Sequence, residues 1–128
     1  MSHPGLRRLP DAEEIDAFWR DGVVCLRSVL DIDYVMSMTG AVERLIAESI
    51  GTTMYDMTAM GEDLARAGET ILADTRTGGG RFISGIDHWR IDPQFAAFAC
   101  TSGVPAIVAA LLRTNRLNLW EDSVLVKE

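Results

Sequence analysis

The sequence predicts an α+β chain that is mainly helical, with one or two short strands early and a strand or strand pair at its C-terminal end. Three observations carry this. Between Tyr34 and Ser49, the residues Val35, Met38, Val42, Leu45, Ile46 and Ser49 recur at steps of three and four. Glu43, Arg44 and Glu48 fall on other faces, so the pattern is one apolar stripe along a helix. Asp92-Pro93 and Ser102-Gly103-Val104-Pro105 are two helix starts in close succession. From Leu117 to Glu128, alternating Leu117 and Leu119 lead through the polar break Glu121-Asp122-Ser123 to Val124-Leu125-Val126. That is the profile of one long or two short half-buried strands.

The length of 128 residues predicts one domain over 1–128. Hydrophobic residues at 48% and charged residues at 24% suit a soluble globular chain. A net charge of −7 argues against a nucleic-acid partner and for solvated acidic surface. Arg7-Arg8 is followed by Pro10 and an acidic run rather than an apolar stretch, so no signal peptide is expected. No apolar run reads as long enough to span a membrane. Cys25 and Cys100 lie far apart in apolar surroundings without a CxxC motif, and are expected to be buried thiols, with a disulfide between them as the lesser alternative. The expected setting is cytoplasmic.

Met1 to Leu9 reads as a loose start with an exposed His3. Asp11, with Glu14 three residues on, has the spacing of a capping box, and Ile15, Phe18 and Trp19 give the helix a short apolar face. Gly22 stops it. Val23-Val24-Cys25-Leu26 reads as a short strand, and Asp33 as the cap of the next helix, which Gly51 ends. Gly40 inside that helix, at a cost of about 1 kcal/mol against Ala, predicts a close packing contact. The methionines of that helix read as core filler rather than a soft adaptable binding face. Over Thr52 to Gly80, Met54, Met57 and Met60 recur in threes, and Glu62 to Arg66 adds a helical turn. Gly78-Gly79-Gly80 is a loop, since neither GxGxxG nor GxxxxGK surrounds it. Arg81 to Ile91 gathers Phe82, Ile83, Ile86, His88, Trp89 and Arg90, either as a pocket lining or as a surface segment that tucks Trp89 into the core. Phe95, Phe98 and Ala99 face inward on the next helix, and Ile107, Val108, Leu111 and Leu112 on the last one.

Chemistry is sparse. His3 and His88 are the only histidines, no serine stands in GxSxG, and no carboxylate pair is singled out by spacing. His88 is followed by Trp89-Arg90, so there is no compact His-x-Asp, and Asp87 and His88 would point apart on a strand. Composition and spacing alone reach a soluble helical domain ending in a strand.

Four segments in order resemble the N-terminal part of the phytanoyl-CoA dioxygenase family, iron(II)- and 2-oxoglutarate-dependent oxygenases. Phe18 to Leu30, containing Asp21-Gly22-Val23-Val24, is similar to the family's opening helix-to-strand element. Tyr34 to Ser49 resembles its long second helix. Trp89 to Phe98 and Ile107 to Leu112 resemble the helix pair before the barrel. Arg116 to Glu128 resembles the strand pair whose pattern D-x-[LI]-x-[VF]-K-x-P-G is matched here through Lys127-Glu128. The likeness covers Asp11 to Glu128, with Thr52 to Gly80 poorly fitted.

The resemblance implies a double-stranded β-helix (jelly-roll, cupin-like) with helices outside, of which this chain holds the N-terminal portion and an incomplete barrel. It implies iron ligands, His-x-Asp and a distal His, downstream of the lysine segment, so that no catalytic or metal residue is assigned here. It implies no iron-dependent turnover by residues 1–128 alone. The one residue it carries over is Lys127, the only lysine. Lys127 is either a point charge for the 2-oxoglutarate carboxylate or a solvated strand-end lysine. Trp120 and Arg81 would border a substrate pocket in a full-length relative, which would take a small organic or acyl substrate. The rival expectation is a non-catalytic helical module whose exposed terminal strand pairs with a partner or with itself.

Overall fold

A computed structural model describes residues 3–60 and 80–127. The chain is mixed helix and sheet, in the order α1 (Ala12–Asp21), α2 (Ile32–Ser49), β1 (Tyr55–Asp56), β2 (Phe82–Ile86), a 3-10 turn (His88–Arg90), α3 (Pro93–Cys100), α4 (Gly103–Leu111) and β3 (Ser123–Lys127). It forms two compact units, one of residues up to Ala41 with Trp89–Trp120, the other of Val42–His88 with Glu121–Glu128. The expected helical turn at Glu62 to Arg66, and Gly78 and Gly79 of the glycine triplet, lie outside the described residues, as does Glu128.

In the first unit the helices start where their caps dictate. The Asp11 carboxylate accepts from the Glu14 amide at 2.9 Å, and the Asp11 amide donates to Glu14 Oε2 at 3.0 Å, a complete capping box. Gly22, at φ 74°, closes α1 in the left-handed region. Trp19 Nε1 donates to the Leu111 carbonyl at 2.8 Å, which fixes α1 against the end of α4. Tyr34 stacks on Phe98, with ring centroids 6.3 Å apart. A strap at residues 4–8 is bound by the Arg7 amide to the Val29 carbonyl, by the Asp31 amide to the Gly5 carbonyl and by the Gly103 amide to the Pro4 carbonyl. Residues 4–8 are therefore tied down rather than loose.

Arg8 anchors that strap with a two-pronged contact to Glu14, both N···O distances 2.7 Å, and donates to the Arg27 carbonyl as well. The hydrogen bond from Arg8, followed by that from the Asp11 amide, lowers the Glu14 pKa from its ordinary 4.5 to about 2. A depressed carboxylate stabilises the fold fully above 4.5, and the contribution is lost as pH falls through about 2. Arg8→Gln is expected to return the Glu14 titration toward 4.5, read by carbon NMR of its carboxyl; an unmoved titration would contradict the pairing.

Several expectations are corrected. Val23–Leu26 is irregular rather than a strand: a β-branched run forms no strand without a partner for its backbone. Asp31, not Asp33, caps α2, since its carboxylate accepts from the Asp33 amide at 2.9 Å. Nothing stands within 4 Å of a side chain built at Gly40, so it marks no close contact. Cys25 and Cys100 are exposed. Met54 is buried, but Met36 and Met60 are exposed. Pro93–Leu111, at 19 residues, does have the length and apolarity of a span. It is broken at Thr101-Ser102, where Ser102 Oγ accepts from the Val104 amide and donates to the Phe98 carbonyl, so neither helix approaches the ~20 residues a crossing needs.

The second unit holds the sheet, antiparallel throughout, in the order β1-β2-β3. β2 is the partner that the terminal strand needs, and β1 pairs with the other side of β2. Leu117–Trp120 is exposed coil, so the strand is confined to Ser123–Lys127. The core of this unit gathers Leu45, Met54, Ile83 and His88. Asp56 Oδ1 accepts from the amides of Thr58 and Ala59, and Thr58 Oγ1 accepts from the Phe82 amide at 2.8 Å. The chain after β1 is thereby held to the start of β2.

Candidate functional site

Register decides what each face of the sheet presents. Residues directly opposite in an antiparallel pair share a face. Ile83 pairs with Asp56 and Val126, and Gly85 with Val124, so these line the inner face. Ser84 pairs with Tyr55 and Leu125, Phe82 with Lys127, and Ile86 with Ser123, and these line the outer face. The outer face is apolar and open: Tyr55 is 48% exposed, Ile86 54% and Leu125 61%. That is more uncovered apolar surface than a strand alternating with polar residues presents.

Lys127 stands at one corner of this face, exposed, with Nζ 6.0 Å from the centroid of the Phe82 ring. The ring's negative face attracts the ammonium and leaves it beside apolar surface. Such an ammonium suits a carboxylate. Two unit charges 4 Å apart in water attract by only about 1 kcal/mol, so an open corner of this kind holds an anion weakly until something covers it.

Behind the inner face, His88 is fully buried against Gly85 and Met54. Asp87, at φ 60°, makes the bend that turns the chain from β2 into the 3-10 turn and sends His88 inward. Of the aromatic and cationic cluster read at Arg81 to Ile91, it is therefore His88 that is sealed in the core, while Trp89 is half-buried. Trp120 is 90% exposed and Arg81 half-buried.

No protein-family model, curated protein or solved structure matches the chain.

Among the described residues no three His, Cys, Asp or Glu side chains gather as a metal would require. Of the outer-face residues, the sequence singles out Lys127 and, within the possible pocket lining, Phe82 and Ile86, but not Tyr55, Ser84 or Leu125. Their signal, the alternation of Phe82, Ser84 and Ile86 against Ile83 and Gly85, is legible only once β2 is known to be a strand.

Proposed function

We propose that Asp11 to Glu128 form the helical flank and opening strands of an iron(II)- and 2-oxoglutarate-dependent dioxygenase domain of the phytanoyl-CoA dioxygenase type, part of a jelly roll. In this reading the outer sheet face lines the barrel interior, and Lys127 supplies the charge that receives a carboxylate of the co-substrate. The observation that supports it is the position of Lys127: a lone lysine ends a strand on an apolar, uncovered face, above the Phe82 ring. An apolar surround raises the worth of such a charge once the site is closed, because the local dielectric falls. Oxygen chemistry belongs to the iron ligands, which the resemblance places after the lysine segment. The task of this chain's own residues is to bind and orient a carboxylate.

The test is titration of the chain with millimolar 2-oxoglutarate, followed by amide NMR. Shifts are expected at Phe82, Ser84, Leu125 and Lys127, weak in affinity and abolished by Lys127→Met. An unperturbed outer face, or shifts that Lys127→Met leaves in place, would overturn the proposal.

A further inference from the structure

The edge of β3, as distinct from its face, carries an inference of its own. Antiparallel strands alternate between rungs that exchange both backbone hydrogen bonds and rungs that exchange none. The Asp87 amide donates to the Asp122 carbonyl at 3.1 Å, directly opposite in the β2–β3 register. The bonded rungs are then Asp87–Asp122, Gly85–Val124 and Ile83–Val126. Ser123, Leu125 and Lys127 turn their N–H and C=O groups away from β2, toward the other side of β3. Among the described residues no strand takes up that side. Of the usual safeguards the edge has a lysine at its end, Lys127, but neither proline nor a bulge.

We propose that β3 of a second copy of this chain occupies the edge, antiparallel, with the two-fold axis at Leu125. The register reads Leu125 opposite the partner's Leu125, Val124 opposite the partner's Val126, and Ser123 opposite the partner's Lys127. Each outward-facing residue meets an outward-facing residue, so every backbone donor on the edge finds an acceptor. Valine meets valine on the inner face. The charge agrees as well. Ser123 Oγ donates to Glu121 Oε1 at 3.2 Å, which holds a carboxylate beside Ser123, where the partner's Lys127 arrives.

Two other registers are poorer. An axis at Lys127 sets like charges directly opposite. An axis at Val124 sets Asp122 against the partner's Val126. In the Leu125 register the outer faces of both copies join, and the partner's Lys127 becomes part of the face that holds Lys127.

A five-residue edge buries less than a standard interface, so the dimer is weak, micromolar or weaker. Sedimentation of the full chain from micromolar to near-millimolar concentration is expected to rise from 14.1 kDa toward twice that mass. Leu125→Pro removes an N–H that faces away from β2. It is therefore expected to abolish the dimer while the β2–β3 amide signals persist. Lys127→Glu is expected to weaken the dimer about tenfold, and Glu121→Lys with Lys127→Glu to restore it.

Carbodiimide coupling adds a direct readout, because Lys127 is the only lysine. It is expected to join Lys127 to Glu121 between chains. Within one extended chain these two are about 20 Å apart, too far to couple. A monomer at every concentration, as when another strand of a longer chain already fills the edge, would overturn the proposal. So would a dimer indifferent to both Leu125→Pro and the charge reversal. The mass and the 2-oxoglutarate shifts are separate readouts: a dimer without shifts fails only the carboxylate reading, and a monomer with shifts fails only this one.

Discussion

Gly85→Ala is expected to destabilise the protein by about 3 kcal/mol, at the upper end of the cost of overfilling a packed site. A side chain built at Gly85 would stand 2.5 Å from His88 Cε1, from Met54 Sδ and from the Thr53 carbonyl oxygen. Real carbon contacts at that distance do not occur, so something has to move. The Thr53 oxygen is backbone and has no rotamer to change. His88 and Met54 are fully buried and have nowhere to go. Relief has to come from β2 itself, which would lift from β1 and from the segment carrying Thr53. Urea unfolding of the variant beside the parent measures the loss; coincident midpoints would show that the contact around Gly85 is looser than described. The control is Gly40→Ala, where open space surrounds the position. There the helix gains up to about 1 kcal/mol from the better helix former.

The parts of the fold legible in the sequence are those settled within a few residues. Asp11 with Glu14, Asp92 with Pro93, Ser102 and Gly22 each close a helix end by local geometry, and each does so in the structure. The inner stripe of α2 reads correctly at Leu45 because its period depends only on the helix itself. Strands are different, since a strand exists only where another chain segment pairs with it. Val23–Leu26 has the composition of a strand and, among the described residues, no strand beside it. Phe82–Ile86 has a partner on each side, but its Ser84-Gly85 centre hides the alternation.

The candidate site divides the same way. That Lys127 ends a strand is visible from Val124-Leu125-Val126. That it shares a face with Phe82, Ser84, Leu125 and Tyr55 depends on registers linking residues far apart in the chain. His88 lay in a segment already suspected, but its burial follows from the bend at Asp87 and the absent side chain at Gly85, neither of which a local pattern reveals. The two cysteines fail for a related reason: apolar neighbours in sequence did not bring burial, and both are exposed.

The central strand sets the other large effect. Ile83→Ala is expected to cost about 4 kcal/mol, within the range for truncating a fully buried isoleucine, and Ile83→Val about 1 kcal/mol. Ile83 is fully buried between Asp56 on β1 and Val126 on β3, so its side chain is what tells the sheet which face is inward. A slip of one residue exchanges the two faces of a strand. For β3 that slip would carry Lys127 to the inner side, where an unpaired ammonium is costly, so weakened strands separate instead of sliding. Hydrogen exchange distinguishes the cases. In Ile83→Ala, protection should fall together at the Val124 and Val126 amides, which face β2, while the β3 signals keep their parent shifts. Leu125→Ala, on the exposed face, should leave those amides nearly as protected as before. If both substitutions loosened β3 equally, the division into an inner and an outer face would be wrong, and with it the placement of Lys127 on which the proposed carboxylate site rests.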